Sequence, residues 1–269
     1  MRSVLAVLVA LCLVLAGCGA TTTPGDDTRT VNPALRGTPT PSPTPNAAAR
    51  PPGVGESEVD VRALVAAHRD ALSDRSVTVT LSRTRTSDDG TVVLDTAVRS
   101  VSDPPDQFVE SRVDTTPYEV VGNGSLDTAV WRNDTVSVRR SDAGEGSVSV
   151  VYDTDVPQQR LFGPTGAAEI RAVLGPYTLT PAGTVTENGT RYRRLVDAAA
   201  GRQRVPLRSN VSVELLVTPA GVIRTATVSY RTAEYEEPAR VTVRFAVRNV
   251  SRTTVPRPNW AAAALHNES

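Results

Sequence analysis

Few side chains in this sequence have types and spacing that could do chemistry, and the clearest is a thiol. Cys18 closes the tetrapeptide Leu15-Ala16-Gly17-Cys18, which matches a lipobox, in which the cysteine is lipidated and becomes the mature N-terminus. Thirteen apolar residues, Val4 to Ala16, precede Gly17 and follow a single arginine, Arg2. That run is shorter than the roughly 20 apolar residues a membrane-crossing helix needs, so residues 1–17 read as a secretory signal peptide. One acyl chain holds a bilayer marginally, whereas two hold it stably. Attachment through Cys18 to the extracytoplasmic face of the cell membrane is the predicted consequence. Cys12 lies inside the apolar run and leaves with it.

One imidazole also stands out. His68 falls at helical spacing with Val61, Leu64, Val65 and Leu72, on an apolar face. It could be a polar group lining a cavity, holding a ligand headgroup or sensing pH. The other reading is a core histidine bonded to a backbone carbonyl, and the apolar setting favours that role. Val61, Leu64, Val65, His68 and Leu72 are the residues predicted to line a cavity if one exists.

Other chemistries find little material. There is no G-x-S-x-G elbow, and Gly144-Glu145-Gly146-Ser147 has the wrong spacing for one. Asp88-Asp89 and Asp153 with Asp155 lack the ligand spacing of a calcium loop and read as solvated turns. No P-loop or G-x-G-x-x-G occurs. Arg139-Arg140 and Arg193-Arg194 read as strand-edge charges, Glu234, Glu236 and Glu237 as a solvated loop, and Trp131 and Trp260 as core or rim anchors. No metal, no cofactor and no enzymatic activity is expected. The 269 residues carry 29 basic and 29 acidic side chains, and every basic one is arginine. Zero net charge argues against nucleic acid as a partner. Two cysteines exclude a disulfide framework.

Behind the lipobox comes a tether. Residues 18–57 are low in complexity, with GTPTPSPTPN at Gly37 to Asn46. Such Thr-Pro repeats cannot pack a core and read as disordered. Fully extended they would reach roughly 120 Å, and as a flexible coil nearer 35 Å. Six N-glycosylation sequons occur, at Asn123, Asn133, Asn188, Asn210, Asn249 and Asn267, among nine asparagines in all. They suit an exported, glycan-bearing surface, although Asn123, Asn133 and Asn188 also sit at predicted turns.

The elements that must position these groups run from 58 to 260, with a tail at 261–269. A helix capped near Ser57 and Asp60 is predicted from Val59 to Leu72. The period then changes to two. Val77, Val79 and Leu81 alternate with Thr78, Thr80 and Ser82, and forty valines against two isoleucines supply strand-forming residues. Turns at Asp88-Asp89-Gly90, Asn133-Asp134, Asn188-Gly189 and Pro219-Ala220-Gly221 separate about eleven strands, most in sequential hairpins. A second helix is predicted from Thr165 to Leu174. The predicted fold is mainly β (α+β): a curved antiparallel sheet of about eleven strands covering two helices.

The helix Val59 to Leu72, the hairpin Val77 to Val101, the Pro104-Pro105 break before Phe108 and the closing strands Val211 to Val250 resemble the LolA/LppX-like lipoprotein carriers. That resemblance implies a half-barrel around helices and an apolar cavity. Pro51-Pro52-Gly53-Val54, Ala67 to Leu72 and the phrase Thr254 to Trp260 also resemble a family of uncharacterised haloarchaeal lipoproteins. Together these resemblances imply a lipid-anchored surface protein that binds a lipid or other hydrophobic ligand. The alternative is a surface module that holds a protein partner or serves a structural role, with no ligand cavity.

Overall fold

The computed structural model describes residues 50–115, 124–142, 148–153, 162–198, 207–233 and 238–266. Cys18, Asn123, Asn267, Ser147, Asp155 and Glu234 to Glu237 lie outside the described residues.

Folded structure begins earlier than the tether boundary expected at residue 57. The Val54–Val59 bridge and the bond from the Asp60 N–H to the Gly53 carbonyl (2.8 Å) close residues 53–60 into a tight loop. Val54 and Val59 both enter the core. That loop sets where the first helix starts. Asp60, not Ser57, is the N-cap of α1 (Val61–Leu72), its Oδ1 accepting from the Ala63 N–H at 3.0 Å. Gly53 has φ +79°, and a Cβ there would stand 2.6 Å from the Leu64 backbone nitrogen, so the loop can lie against α1 only through glycine.

Eleven strands follow: β1 (Val77–Ser87), β2 (Val92–Asp103), β3 (Asp106–Thr115), β4 (Gly124–Arg132), β5 (Ser137–Asp142), β6 (Val148–Asp153), β7 (Leu179–Glu187), β8 (Thr190–Asp197), β9 (Arg208–Val217), β10 (Ile223–Thr232) and β11 (Ala239–Arg248). Helix α2 (Ala167–Leu174) lies between β6 and β7, and α3 (Asn259–His266) follows β11. The turns and the strand number agree with the sequence pattern.

All eleven strands form one antiparallel, open and curved sheet in the order β6-β5-β4-β3-β2-β1-β11-β10-β9-β8-β7. Two meanders are therefore joined at β1 and β11, whose register runs from Thr78↔Arg248 to Ser87↔Ala239. The edges, β6 and β7, are neighbours in sequence but lie on opposite sides of the sheet. Helix α2, which lies between them in sequence, packs on one face of the sheet. Gly166, the N-cap of α2 at φ +68°, permits that close approach: a Cβ there would come within 2.7 Å of Phe245 and 2.8 Å of Val79.

The alternation of each strand sorts the residues into two faces. One face turns Val77 and Val79 of β1, Val228 of β10 and Phe245 of β11 toward Leu64 and Leu72 of α1 and Ile170 and Leu174 of α2. Each such fully buried side chain contributes about 1.5–3 kcal/mol. The opposite face packs a second, smaller core of Val101, Trp131 and Val138 against Val255 and Ala261, with Phe108, Trp260 and Leu265 at its margin. The expected tail at 261–269 therefore begins inside a third helix. The run Trp260 to Leu265 is short and alanine-rich, with no clear apolar stripe, and only the shelf around Trp131 makes its burial worthwhile.

Candidate functional site

Between α2 and the inner face of the sheet lies a partly open hollow of about 300 Å³. It is lined by Leu81 and Arg83 of β1, Thr96 and Val98 of β2, Ala172 and Val173 of α2, Tyr177, Arg208 of β9, Val228 and Tyr230 of β10 and Val243 of β11. The β1 contribution follows from parity. Val77, Val79, Leu81 and Arg83 share one face, so an arginine stands where the three preceding inward positions hold aliphatic side chains.

Three of the hollow's side chains, Tyr177, Arg208 and Tyr230, hold one another. The last turn of α2 sends the Tyr177 N–H to the Leu174 carbonyl at 3.0 Å, which fixes where the phenol emerges. Nη1 of Arg208 donates to the Tyr177 hydroxyl at 3.4 Å, and its guanidinium lies over the Tyr230 ring, 4.4 Å from the centroid. Burial pushes the Tyr177 phenol above its ordinary pKa, partly opposed by Arg208. Nε of Arg83 is buried with no hydrogen-bond partner. Among the described residues no acid lines the hollow, although Asp197 acts on Tyr177 from nearby, and the remaining walls are aliphatic save for the Thr96 hydroxyl.

The helix face expected to line a cavity has another place. Leu64, Val65, His68 and Leu72 are buried in the main core, Val61 packs partly buried against it, and none of the five is among the residues lining the hollow. His68 is wholly buried. Its Nε2 donates to the Thr165 carbonyl at 2.9 Å, and its Nδ1 accepts the Ile223 N–H at 3.1 Å. These partners require the neutral Nε2–H tautomer. The ring meets Phe245 edge-on at 5.8 Å. Burial holds its pKa below the ordinary 6.5, and the Thr165 bond opposes this only in part.

The other candidates spread over the surface. Asn188, Asn210 and Asn249 are exposed, each with positive φ, and Asn133 is half-buried with its Oδ1 accepting the Thr135 and Val136 N–H groups at 2.9 Å. Asp88 pairs with Arg231 and Arg194 with Glu214. A larger hollow of about 510 Å³ opens on the opposite sheet face. Its rim is an ion-pair ladder that includes Arg99 with Glu110 at 3.0 Å and Arg112, held further in its charged form by Asp114 and Asp127. Polar rows of this kind suit a solvent face. Among the described residues no group of three metal-ligating side chains converges, and no helix is long and apolar enough to cross a membrane.

Neither Arg83 nor Arg208 is among the site residues expected from the sequence. The signal for Arg83 was present in the odd-numbered positions of β1, where the inward aliphatic series ends in a cation. For Arg208 no such signal exists, because its segment carries no clear alternation before Val211.

No protein-family model and no curated protein matches the chain. Among solved structures it is similar to LprF from Mycobacterium bovis, at 12% identity and TM-score 0.41, covering 76% of this chain and 99% of that one. A DUF1329 family protein from Desulfovibrio piger gives 11% identity and TM-score 0.26, covering 73% of this chain and 92% of that one. A domain described as an outer membrane lipoprotein-sorting protein, from Vibrio parahaemolyticus, gives 8% identity and TM-score 0.24, covering 77% of this chain and 99% of that one. Scores this low carry nothing about function.

Proposed function

We propose that this chain is a non-enzymatic, lipid-anchored protein of the extracytoplasmic membrane face that binds a lipid or other hydrophobic ligand in the hollow beneath α2. The observation that carries the reading is the hollow's lining: Leu81, Val98, Val173, Val228 and Val243 border about 300 Å³ of partly open space. That volume stands at the lower end of small-molecule sites. Membrane attachment comes from Cys18, and the segment after it gives the folded unit reach from the bilayer. The likeness of Pro51 to Val54, Ala67 to Leu72 and Thr254 to Trp260 to haloarchaeal lipoproteins belongs with the same proposal. So does glycan attachment at the sequons, of which Asn188, Asn210 and Asn249 offer exposed amides.

Two measurements test it. A Cys18→Ser chain should leave the membrane fraction after a high-salt wash, and its retention there would refute the anchor. An apolar fluorophore that brightens on leaving water should be taken up by the purified protein and displaced by long-chain lipids. Absence of uptake would refute the ligand site.

A further inference from the structure

We propose that the hollow beneath α2 recognises the anionic head of an amphiphile, a carboxylate or a phosphate group, through Arg83 and Arg208. This rests on the reading that the hollow takes an apolar ligand, and adds which chemistry that ligand must carry at one end.

The placement of Arg83 is the first ground. The opposite face of β1 holds Thr78, Thr80, Ser82 and Thr84, hydroxyl side chains throughout. Arg83 instead continues the inward series of Val77, Val79 and Leu81. An inward guanidinium is costly unless an acceptor meets it. Its Nε is buried without a hydrogen-bond partner, and among the described residues no carboxylate pairs with its guanidinium. A planar fork of donors facing a hollow is the arrangement that carboxylate and phosphate oxygens satisfy.

Arg208 supplies the second ground. It reaches the same hollow from β9, three strands from β1, so the two cations border it from different sides. Stacking on Tyr230 and the bond to Tyr177 hold its guanidinium in place before any ligand arrives. Such preorganisation limits what binding must spend on ordering a long side chain. The rest of the lining is what an acyl chain would meet: Leu81, Val98, Val173, Val228 and Val243. A polar solute would gain nothing from those walls, and an uncharged lipid would leave Arg83 without an acceptor. One charged end and one apolar end together define an anionic amphiphile.

The test uses the full chain, purified from membranes and stripped of lipid, and compares tetradecanoate, its methyl ester, dodecyl phosphate and inorganic phosphate by calorimetry. The two amphiphilic anions should bind about ten- to a hundredfold more tightly than the ester, as charge-assisted hydrogen bonds require. Arg83→Gln and Arg208→Gln should each shrink the ratio of acid to ester affinity, and together should bring it within about twofold of one. Arg83→Lys should keep most of the ratio. Should Arg208→Gln lose its fold by circular dichroism, Arg83→Gln decides alone. Equal affinity of acid and ester for the wild-type chain would overturn the headgroup claim while leaving an apolar site standing. Inorganic phosphate binding as tightly as dodecyl phosphate would overturn the amphiphile and leave a plain anion site. If neither acid nor ester binds, the hollow is not a lipid site and this inference falls with it.

Discussion

The backbone N–H of Ile223 donates to Nδ1 of His68 across 3.1 Å, joining α1 to the start of β10 in the middle of the protein. On its other side the same ring donates to Thr165, which stands immediately before the Gly166 cap of α2. One imidazole thus ties both helices of the inner face to the sheet.

Replacing that ring with an apolar one should cost a great deal. His68→Leu leaves a buried N–H and a buried carbonyl unmatched, each worth about 1–3 kcal/mol. We expect a loss of about 3 kcal/mol, read as a lower denaturation midpoint with unchanged slope in urea. His68→Gln keeps one donor and one acceptor and should lose about half as much.

The same residue makes stability depend on pH in a defined direction. Its pKa in the fold lies below the ordinary 6.5 that it regains on unfolding. Below pH 6.5 the unfolded chain therefore binds the extra proton and the folded one does not, so stability rises with pH. The His68 contribution is complete above pH 6.5 and declines as pH drops toward the lowered folded value, by at most about 1.4 kcal/mol per unit. Urea midpoints between pH 5 and 7 should show this decline in the wild type and a flatter profile in His68→Gln.

Gly166 and Gly90 separate steric cost from backbone cost. Both have positive φ, but a Cβ at Gly90 meets nothing within 4 Å, whereas one at Gly166 collides with Phe245 and Val79. Gly90→Ala should cost about 1–2 kcal/mol, the penalty of the left-handed conformation alone. Gly166→Ala adds the collision and should cost at least about 1–3 kcal/mol more, lifting α2 from the sheet. Thermal unfolding of the two variants side by side checks the difference.

The second core gives an optical prediction. Trp131 is buried beneath α3 and carries Arg257 over its ring at 4.6 Å. Ala261→Glu would place a carboxylate at a position with no solvent exposure. In a Trp260→Phe background it should shift Trp131 emission to the red and lower stability by about 2–4 kcal/mol. Unchanged emission would show that α3 does not cover that ring.

Legibility in the sequence divided along local and distant lines. The two-residue rhythm of Val77, Val79 and Leu81, the Asn188-Gly189 turn and the helical spacing of Leu64, His68 and Leu72 are local signals, and each element stands where its signal placed it. The pairing of β1 with β11 joins Thr78 to Arg248, and no local pattern reports a partner so far along the chain. Docking of Pro51 to Val54 on α1 was hidden because the prolines there continue the composition of the tether. The apolar stripe of α1 suggests a cavity wall, yet Leu64, Val65, His68 and Leu72 are buried in the core and line no part of the hollow. The hollow opens instead beside α2, bordered by Ala172 and Val173.

If an apolar ligand occupies the hollow beneath α2, lipid should accompany the protein out of the membrane. Ala172 is exposed on α2 at the border of the hollow, so Ala172→Trp should fill the space without disturbing the core. Mass spectrometry of the gently extracted full chain should find a stoichiometric lipid on the wild type and little on Ala172→Trp. Equal lipid on both, or none on either, would show that the hollow is not a lipid site.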